Sequence, residues 1–499
     1  MPRTPASSEP TEPTRPAAKR RRTASTSTSA FGVSRRESHD SSEFYARFAA
    51  PDVTTADAPA GPGDAERSID DVFCGDSRSM GKVADRSVAL VVTSPPYFAG
   101  KEYEEALGEG HVPGSYLDYL EMLTEVFAEC VRTLEPGGRI AVNVANLGRR
   151  PYRSLSADVI AILQDRLRLL LRGEVIWQKQ RGAAGNCAWG SFQRPGNPVL
   201  RDLTERVVIA SKGRFDRAET ARRRERDGLP SLSSLTRDEF MDATLDVWEF
   251  PAESATRVGH PAPFPVALPE RLIHLYTYVD DLVLDPFMGS GSTGVAALRT
   301  GRHFVGYDTD AGYVERARQR LDDERVTAAA GPRDGGAPTV RLGPGRPESN
   351  ADPDPVTEAL TQGRSAKDVA AAVLAAAGFV DVTEDARAGA GVDLTFRATD
   401  RAGATVWFEL CGALSGSRPG LRRADVLWRV LGKAAVLGQT QPGAELVLLA
   451  TDVPASGTAQ ASALDAVRGV GRPVLDVVDI RSGVDRARLG GLAAGHRSD

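Results

Sequence analysis

Cysteine is scarce in this chain. Cys74, Cys130, Cys187 and Cys411 lie far apart and form no Cys-x-x-Cys pair. That spacing argues against a zinc site and a disulfide framework and suits a reducing cytosol. No apolar run approaches the roughly 18 residues of a membrane helix, and the N-terminus lacks the apolar region of a secretory signal. No membrane partner is expected, and the protein reads as soluble and intracellular. Lysine is also scarce, and no Gly-Lys-Ser/Thr follows a glycine-rich turn, which excludes a Walker A phosphate loop. A basic excess is missing too. The formal net charge of −5 rules out a DNA-coating protein, so any nucleic-acid contact must come from local basic surface. No internal repeat is visible.

What is present organises into segments. The 499 residues and a hydrophobic fraction of 41% allow two or three domains with substantial cores. Residues 1–68 are rich in Ser, Thr, Pro, Ala and charge and are expected to be disordered. The run Lys19-Arg20-Arg21-Arg22 within them reads more plainly as a solvated basic tail than as a nuclear signal or a DNA-touching arm. Residues 69–328 alternate short β-rich runs (88–92, 139–144, 174–178, 206–210, 282–284, 303–306) with helical ones (116–134, 295–300). That pattern predicts an α/β domain with a mostly parallel sheet. A Gly/Pro-rich linker is expected at 329–354. A small α/β domain is expected over 355–482, in the order helix 366–377, strands 392–397 and 406–410, helix 422–437 and strand 445–450. Residues 483–499 read as a tail.

Two loops carry the chemistry. In the first, the apolar strand Leu282-Val283-Leu284-Asp285 runs into Pro286-Phe287-Met288-Gly289-Ser290-Gly291-Ser292-Thr293 and then a helix. Glycines there let the backbone approach a ligand closely at a helix N-terminus. The next strand ends in Tyr307-Asp308, about where doubly wound folds place an acid on ribose hydroxyls. Loop and acid together point to a ligand with a ribose and no triphosphate.

In the second loop, Ser94-Pro95-Pro96-Tyr97 leaves the apolar strand 88–92 directly. Its prolines fix φ and remove donors, so the loop presents acceptors in a rigid array. Acceptors at Ser94 Oγ and the Pro95 carbonyl suit an exocyclic amine whose lone pair is conjugated into a ring. Tyr97 offers a face on which a flipped base can stack, worth about 1–3 kcal/mol. A Pro-rich turn with Tyr97 packed on the core is the plainer alternative for this loop alone.

These residues resemble a β-group DNA amino-methyltransferase, in which the target-base motif precedes the cofactor motif. The resemblance runs from roughly 70 to 325. It includes Phe73-Cys74-Gly75-Asp76-Ser77, Trp189-Gly190-Ser191-Phe192, Glu205-Arg206-Val207-Val208, His260-Pro261-Ala262-Pro263-Phe264-Pro265 and Gly301 to Asp308. It implies a Rossmann-like fold and S-adenosylmethionine as cofactor. Asp285, Phe287, Gly289 and Gly291 would line the pocket, with Asp308 on the ribose and Asp76 beside the cofactor. His260, Phe264 and Pro265 would flank its methionine end. Ser94, Pro95, Pro96 and Tyr97 would hold the target base. Ser94 resembles the cytosine-N4 members of the family, whereas Asp is typical of the adenine-N6 members, which remain the alternative. Cytosine C5 chemistry needs a cysteine usually presented after a proline, and none of the four follows one.

The implied substrate is double-stranded DNA, in a restriction–modification setting with a cognate endonuclease as possible partner. The implied location is the bacterial cytoplasm, at the nucleoid. A binding protein that has lost activity is the alternative of another class. Family members carry a sequence-reading insertion, here about 212–258. Lys212–Arg226 holds an excess of four positive charges, and Arg214, Arg217, Arg222, Arg223 and Arg224 are its candidate phosphate contacts. A solvated helix of mixed charge is the bland alternative. The C-terminal order resembles a PD-(D/E)xK nuclease core, with Asp393 and Glu409 as speculative metal ligands. Cys411 stands where the lysine belongs, with Lys433 as a possible substitute. A non-catalytic DNA- or protein-binding relic and an unrelated α/β domain are the alternatives there.

Overall fold

The computed structural model describes residues 52–54, 69–96, 115–146, 152–179, 195–198, 200, 203–251, 264–329, 364–414 and 420–497. Tyr97 and His260 lie outside them.

The first domain is built from β1 (Asp71–Cys74), β2 (Val88–Thr93), α1 (Tyr116–Thr133), β3 (Leu134–Val144), α2 (Leu155–Ala161), β4 (Leu170–Gln178) and β5 (Thr204–Ser211). It continues through α3 (Ala221–Arg226), α4 (Arg237–Ala243), β6 (Val247–Glu249), α5 (Ala267–Tyr276), β7 (Leu282–Asp285), α6 (Ser292–Thr300), β8 (His303–Asp308) and α7 (Ala311–Ala329). The strands form one sheet in the order β1-β8-β7-β2-β3-β5-β4-β6. Neighbouring strands run parallel except at β5, which is antiparallel to β3 and β4. This is the Rossmann-like methyltransferase architecture the sequence predicts.

Every residue of β2 is buried, as an apolar strand covered on both faces must be. Leu90 and Val92 enter a core with α5, α6 and α7. Val91 enters the core on the other face, beneath α1 and α2. Ser115 caps α1 by accepting from Asp118 N, and Leu120, Leu123, Phe127 and Cys130 recur on its buried side. Truncating one of these leucines to Ala costs about 2–5 kcal/mol.

The described part of the N-terminal region departs from its disordered expectation at three residues. Asp52 N donates to Arg168 O and Thr54 N to Gly213 O, both at 2.9 Å, which pins residues 52–54 to the first domain.

The C-terminal domain contains α8 (Ala366–Ala377), β9 (Val380–Gly389), β10 (Val392–Thr399), β11 (Thr405–Cys411), α9 (Ala424–Thr440), β12 (Glu445–Ala450), α10 (Ala459–Val467), β13 (Asp476–Asp479) and α11 (Gly483–Ala493). Its sheet order is β13-β12-β11-β10-β9, with β9–β11 antiparallel and β11–β13 parallel. Two strands exceed the expectation, β9 and β13. Residues 483–493, expected as tail, form α11 instead, because Leu489, Leu492 and Ala493 complete the core beneath α8.

Candidate active site

The parallel strands β1, β8, β7 and β2 are neighbours, so the loops after their C-terminal ends meet at one edge of the sheet. Open α/β sheets bind ligands at such an edge. The glycine loop after β7 holds Gly289 at φ 50° and Gly291 at φ 83°, left-handed values that disfavour other residues. A Cβ on Gly291 would also press on Ala317 of α7 at 3.3 Å.

Asp308 ends β8 beside this loop. One of its oxygens accepts from Gly289 N and the other from Asp310 N, both at 2.9 Å. A carboxylate has about four acceptor sites, so ribose hydroxyls can still be taken. Cys74 pairs with Asp308 across β1 and β8, which brings Asp76 to the same edge. Asp76 is exposed and ion-paired with Arg78 at 2.6 Å, which holds its carboxyl below the usual range. Phe264 and Pro265 are buried ahead of α5, and the Phe264 carbonyl accepts from Ser292 Oγ at 3.1 Å at the start of α6. Phe287 is half-buried in the loop.

Asp285 has a different place from the one expected. It is 1% exposed, and its carboxylate turns beneath the loop rather than towards a ligand. Thr93 Oγ1 donates to Oδ1 at 2.7 Å, Thr293 Oγ1 to Oδ2 at 2.6 Å, and Phe287 N to Oδ1 at 3.1 Å. Thr93 is the residue before Ser94, and Thr293 lies in the first turn of α6. One carboxylate therefore ties the Ser-Pro-Pro loop to the glycine loop. Burial pushes its pKa up to about 6, against the Thr293 and Thr93 hydrogen bonds that favour the charged form. Ser94 and Pro96 are half-buried and Pro95 is buried, at the end of a strand paired with β7 through Leu90 and Val91.

Sequence reasoning missed Thr93 and Thr293. It also missed Arg320, whose Nη1 donates to Ser290 O at 3.1 Å and Ser292 Oγ at 3.2 Å and so clamps the loop from α7. The only sequence signal for the threonines is their position flanking the two motifs. Arg320 has none.

The basic segment of the insertion divides in two. Arg217 donates to Glu135 at 2.6 Å and pairs with Asp281 at 2.5 Å. Arg224 pairs with Asp281 at 3.0 Å and gives a further bond to Pro230 O. Both guanidiniums are buried, so these two arginines fasten the insertion to the sheet and are corrected from phosphate contacts to internal ion pairs. Arg222 and Arg223 are exposed and Arg214 is half-buried, and Arg223 lies 3.5 Å from Glu219. The insertion is fastened a second time by Ser234, whose Oγ meets His274 Nδ1 and Arg302 Nη1, each at 2.7 Å.

In the C-terminal domain Glu409 is 9% exposed, and both its oxygens are engaged. Lys433 Nζ donates to Oε1 at 2.6 Å, while Thr395 N and Oγ1 donate to Oε2 at 3.1 Å. Lys433 also donates to the Asp393 carbonyl at 2.7 Å, and the Asp393 side chain is exposed. A divalent cation would have to displace the ammonium from Glu409. Among the described residues no group of three or more His, Cys, Asp or Glu side chains could hold a metal. The speculative Asp393–Glu409 metal site does not fit this donor set.

Among the described residues no helix is long and apolar enough to cross a membrane. Residues 88–319, just under half of the chain, match a family of N6/N4 methyltransferases described as DNA methylase. The type II methyltransferase M.MjaI of Methanocaldococcus jannaschii is 27% identical over 272 residues, covering 48% of this chain and 86% of its own. M.ScaI of Streptomyces caespitosus is 28% identical over 293 residues, covering 57% and 92%. Among solved structures, a DNA modification methylase of Thermus thermophilus is 28% identical with a TM-score of 0.40, covering 51% of this chain and 95% of that one. The segment 88–319 is thus similar to DNA methylases of the amino-methyltransferase class.

Proposed function

We propose that residues 69–328 transfer the methyl group of S-adenosylmethionine to N4 of cytosine in double-stranded DNA, in a restriction–modification context with a cognate endonuclease. The observation that carries this reading is the Asp285 carboxylate, which joins the residue before Ser94 to the first turn after the glycine loop. The two loops are thereby held as one site.

S-adenosylmethionine supplies an electrophilic methyl group on a sulfonium. Asp308 takes its ribose hydroxyls, Gly289 and Gly291 give it room, and Asp76, Phe264, Pro265, Phe287 and His260 flank it. Ser94 Oγ and the Pro95 carbonyl accept the hydrogens of the target amine and turn its nitrogen towards the cofactor pocket, with Tyr97 beneath the flipped base. Positioning is the main contribution of the protein, and no covalent enzyme intermediate is needed. Arg222, Arg223 and Arg214 contact DNA phosphates. Ser94, rather than an Asp, favours cytosine over adenine.

The test is nucleoside mass spectrometry of unmethylated DNA incubated with the protein and S-adenosylmethionine, with Ser94→Ala as control. N4-methylcytosine that disappears in the variant supports the reading. N6-methyladenine would keep the reaction class and replace the base. Neither product on DNA of diverse sequence would end the catalytic reading.

A further inference from the structure

The C-terminal domain sorts its cations into two groups. Most are neutralised at close range: Arg422 by Asp452 at 2.9 Å, Arg423 by Asp425 at 2.9 Å, and Arg497 by Glu445 at 2.6 Å. Arg387, Arg397 and Arg429 are exposed and have no carboxylate partner among the described residues, as Arg401 and Arg472 elsewhere in the domain have none.

Arg387 and Arg397 share one cleft, and Arg429 lies on the helix packed beside that hairpin. Arg387 of β9 and Arg397 of β10 line a single open cleft with Trp407 and Gln441. Arg397 stands opposite Trp407 across β10 and β11, and Arg387 opposite Asp393 across β9 and β10. Lys433 of α9 reaches the Asp393 carbonyl at 2.7 Å, so α9 passes this end of the hairpin, and Arg429 sits one turn before Lys433. The far end of α9 is fixed by Gln441 Nε2, which donates to Ala388 O at 2.5 Å. The frame that spaces the guanidiniums is thus made of strand pairing and two side-chain bonds from α9.

We propose that this seam of hairpin and helix is a second DNA-contacting surface, in which Arg387, Arg397 and Arg429 take backbone phosphates of duplex DNA. Unpaired guanidinium forks match phosphate geometry and leave the ligand to supply the counter-charge. The cleft is polar: Trp407 is buried in its floor and offers little apolar surface, whereas a protein partner needs an apolar centre. Glu445, the carboxylate in the cleft, is already neutralised by Arg497. The same chain carries a domain similar to DNA methylases, so duplex is the polyanion it meets. The seam is non-catalytic, since Glu409 beside it is held by Lys433. Binding there would lengthen residence on DNA outside the target site.

The test uses the full-length protein and fluorescence anisotropy on a labelled duplex, titrated in salt from about 50 to about 200 mM. Arg387→Glu/Arg397→Glu should weaken binding by about tenfold or more and flatten the logarithmic salt dependence by about 2, near 0.9 per phosphate contact. Arg387→Lys/Arg397→Lys should keep most of both. Arg429→Gln, on a different element, should flatten the slope by about 1 and guards against misfolding of the double variant. Methyl transfer to a saturating short duplex should be unchanged in all of them, which separates failure here from failure of the methylase reading. Unchanged affinity and salt slope in variants that melt like the parent would overturn the proposal. So would unchanged duplex binding accompanied by loss of binding to polyglutamate, which would assign the seam to an acidic protein.

Discussion

Each of the two sheets buries a carboxylate near the end of a central strand, and they treat it differently. Asp285 of β7 is surrounded by two threonine hydroxyls and one backbone N–H, with no cation against it among the described residues. Glu409 of β11 has an ammonium at 2.6 Å. In the methylase domain the acid is a shared acceptor that aligns two loops. In the C-terminal domain it is half of an ion pair that locks a helix to a hairpin. Acids at similar places in a sheet can thus prepare a site or close one, according to the donors around them.

A third buried arrangement sets the scale for that contrast. Arg217→Ala strands Glu135 and Asp281 in the interior and should cost about 3–5 kcal/mol, read from denaturant midpoints. Arg222→Ala, on the exposed side of the same segment, should leave stability within about 0.5 kcal/mol and weaken DNA binding instead. Equal effects of the two would remove the distinction between fastening and phosphate-contacting arginines.

Asp285→Ala should lower kcat for methyl transfer by about 100-fold, because both loops lose their common anchor and a displacement near 1 Å is that costly. Its cofactor affinity, measured by calorimetry, should fall less than kcat. Near-normal turnover in a folded variant would break the comparison. Lys433→Met leaves Glu409 without its counter-ion and should destabilise the C-terminal domain by about 1–3 kcal/mol, less than a fully buried pair because the lysine is partly exposed. Adding Glu409→Gln should restore most of that loss, while methylation of a short duplex stays unchanged throughout.

A further effect is a pH dependence. The folded pKa of Asp285, about 6, lies above its ordinary value of 3.8, so the folded state favours the neutral acid. Its contribution to stability is present below about pH 4 and is lost as pH rises through about 6. Asp285→Asn should remove this component from stability profiles collected over that window. Identical profile shapes for parent and variant would show that Asp285 does not titrate there.

The features most legible in the sequence are those imposed by the backbone. Glycines at 289 and 291 allow left-handed φ values and prolines at 95 and 96 fix φ, so their loops announce themselves. What side chains reach is less legible. Asp285 ends its strand as expected, but a strand end does not say whether its carboxylate turns to the ligand or beneath it. Arg217 and Arg224 sit in the same charge run as Arg222 and Arg223, and their partners are distant, with Glu135 82 residues from Arg217 and Asp281 57 residues from Arg224. β9 escaped notice because Val380–Gly389 is an edge strand carrying Asp381, Glu384, Asp385 and Arg387, with few buried residues. α11 escaped because glycines and arginines dilute its apolar spacing.

The bond from Thr93 to Asp285 spans 192 residues. A nascent chain therefore exposes its Ser-Pro-Pro loop long before the strand that carries Asp285 has been made. At about 5–20 residues per second the interval is roughly ten to forty seconds. During that time β2, buried on both faces in the finished sheet, lacks its β7 neighbour. Joining of the two loops is thus a late event in the making of each chain, since it waits on the closure of a long loop.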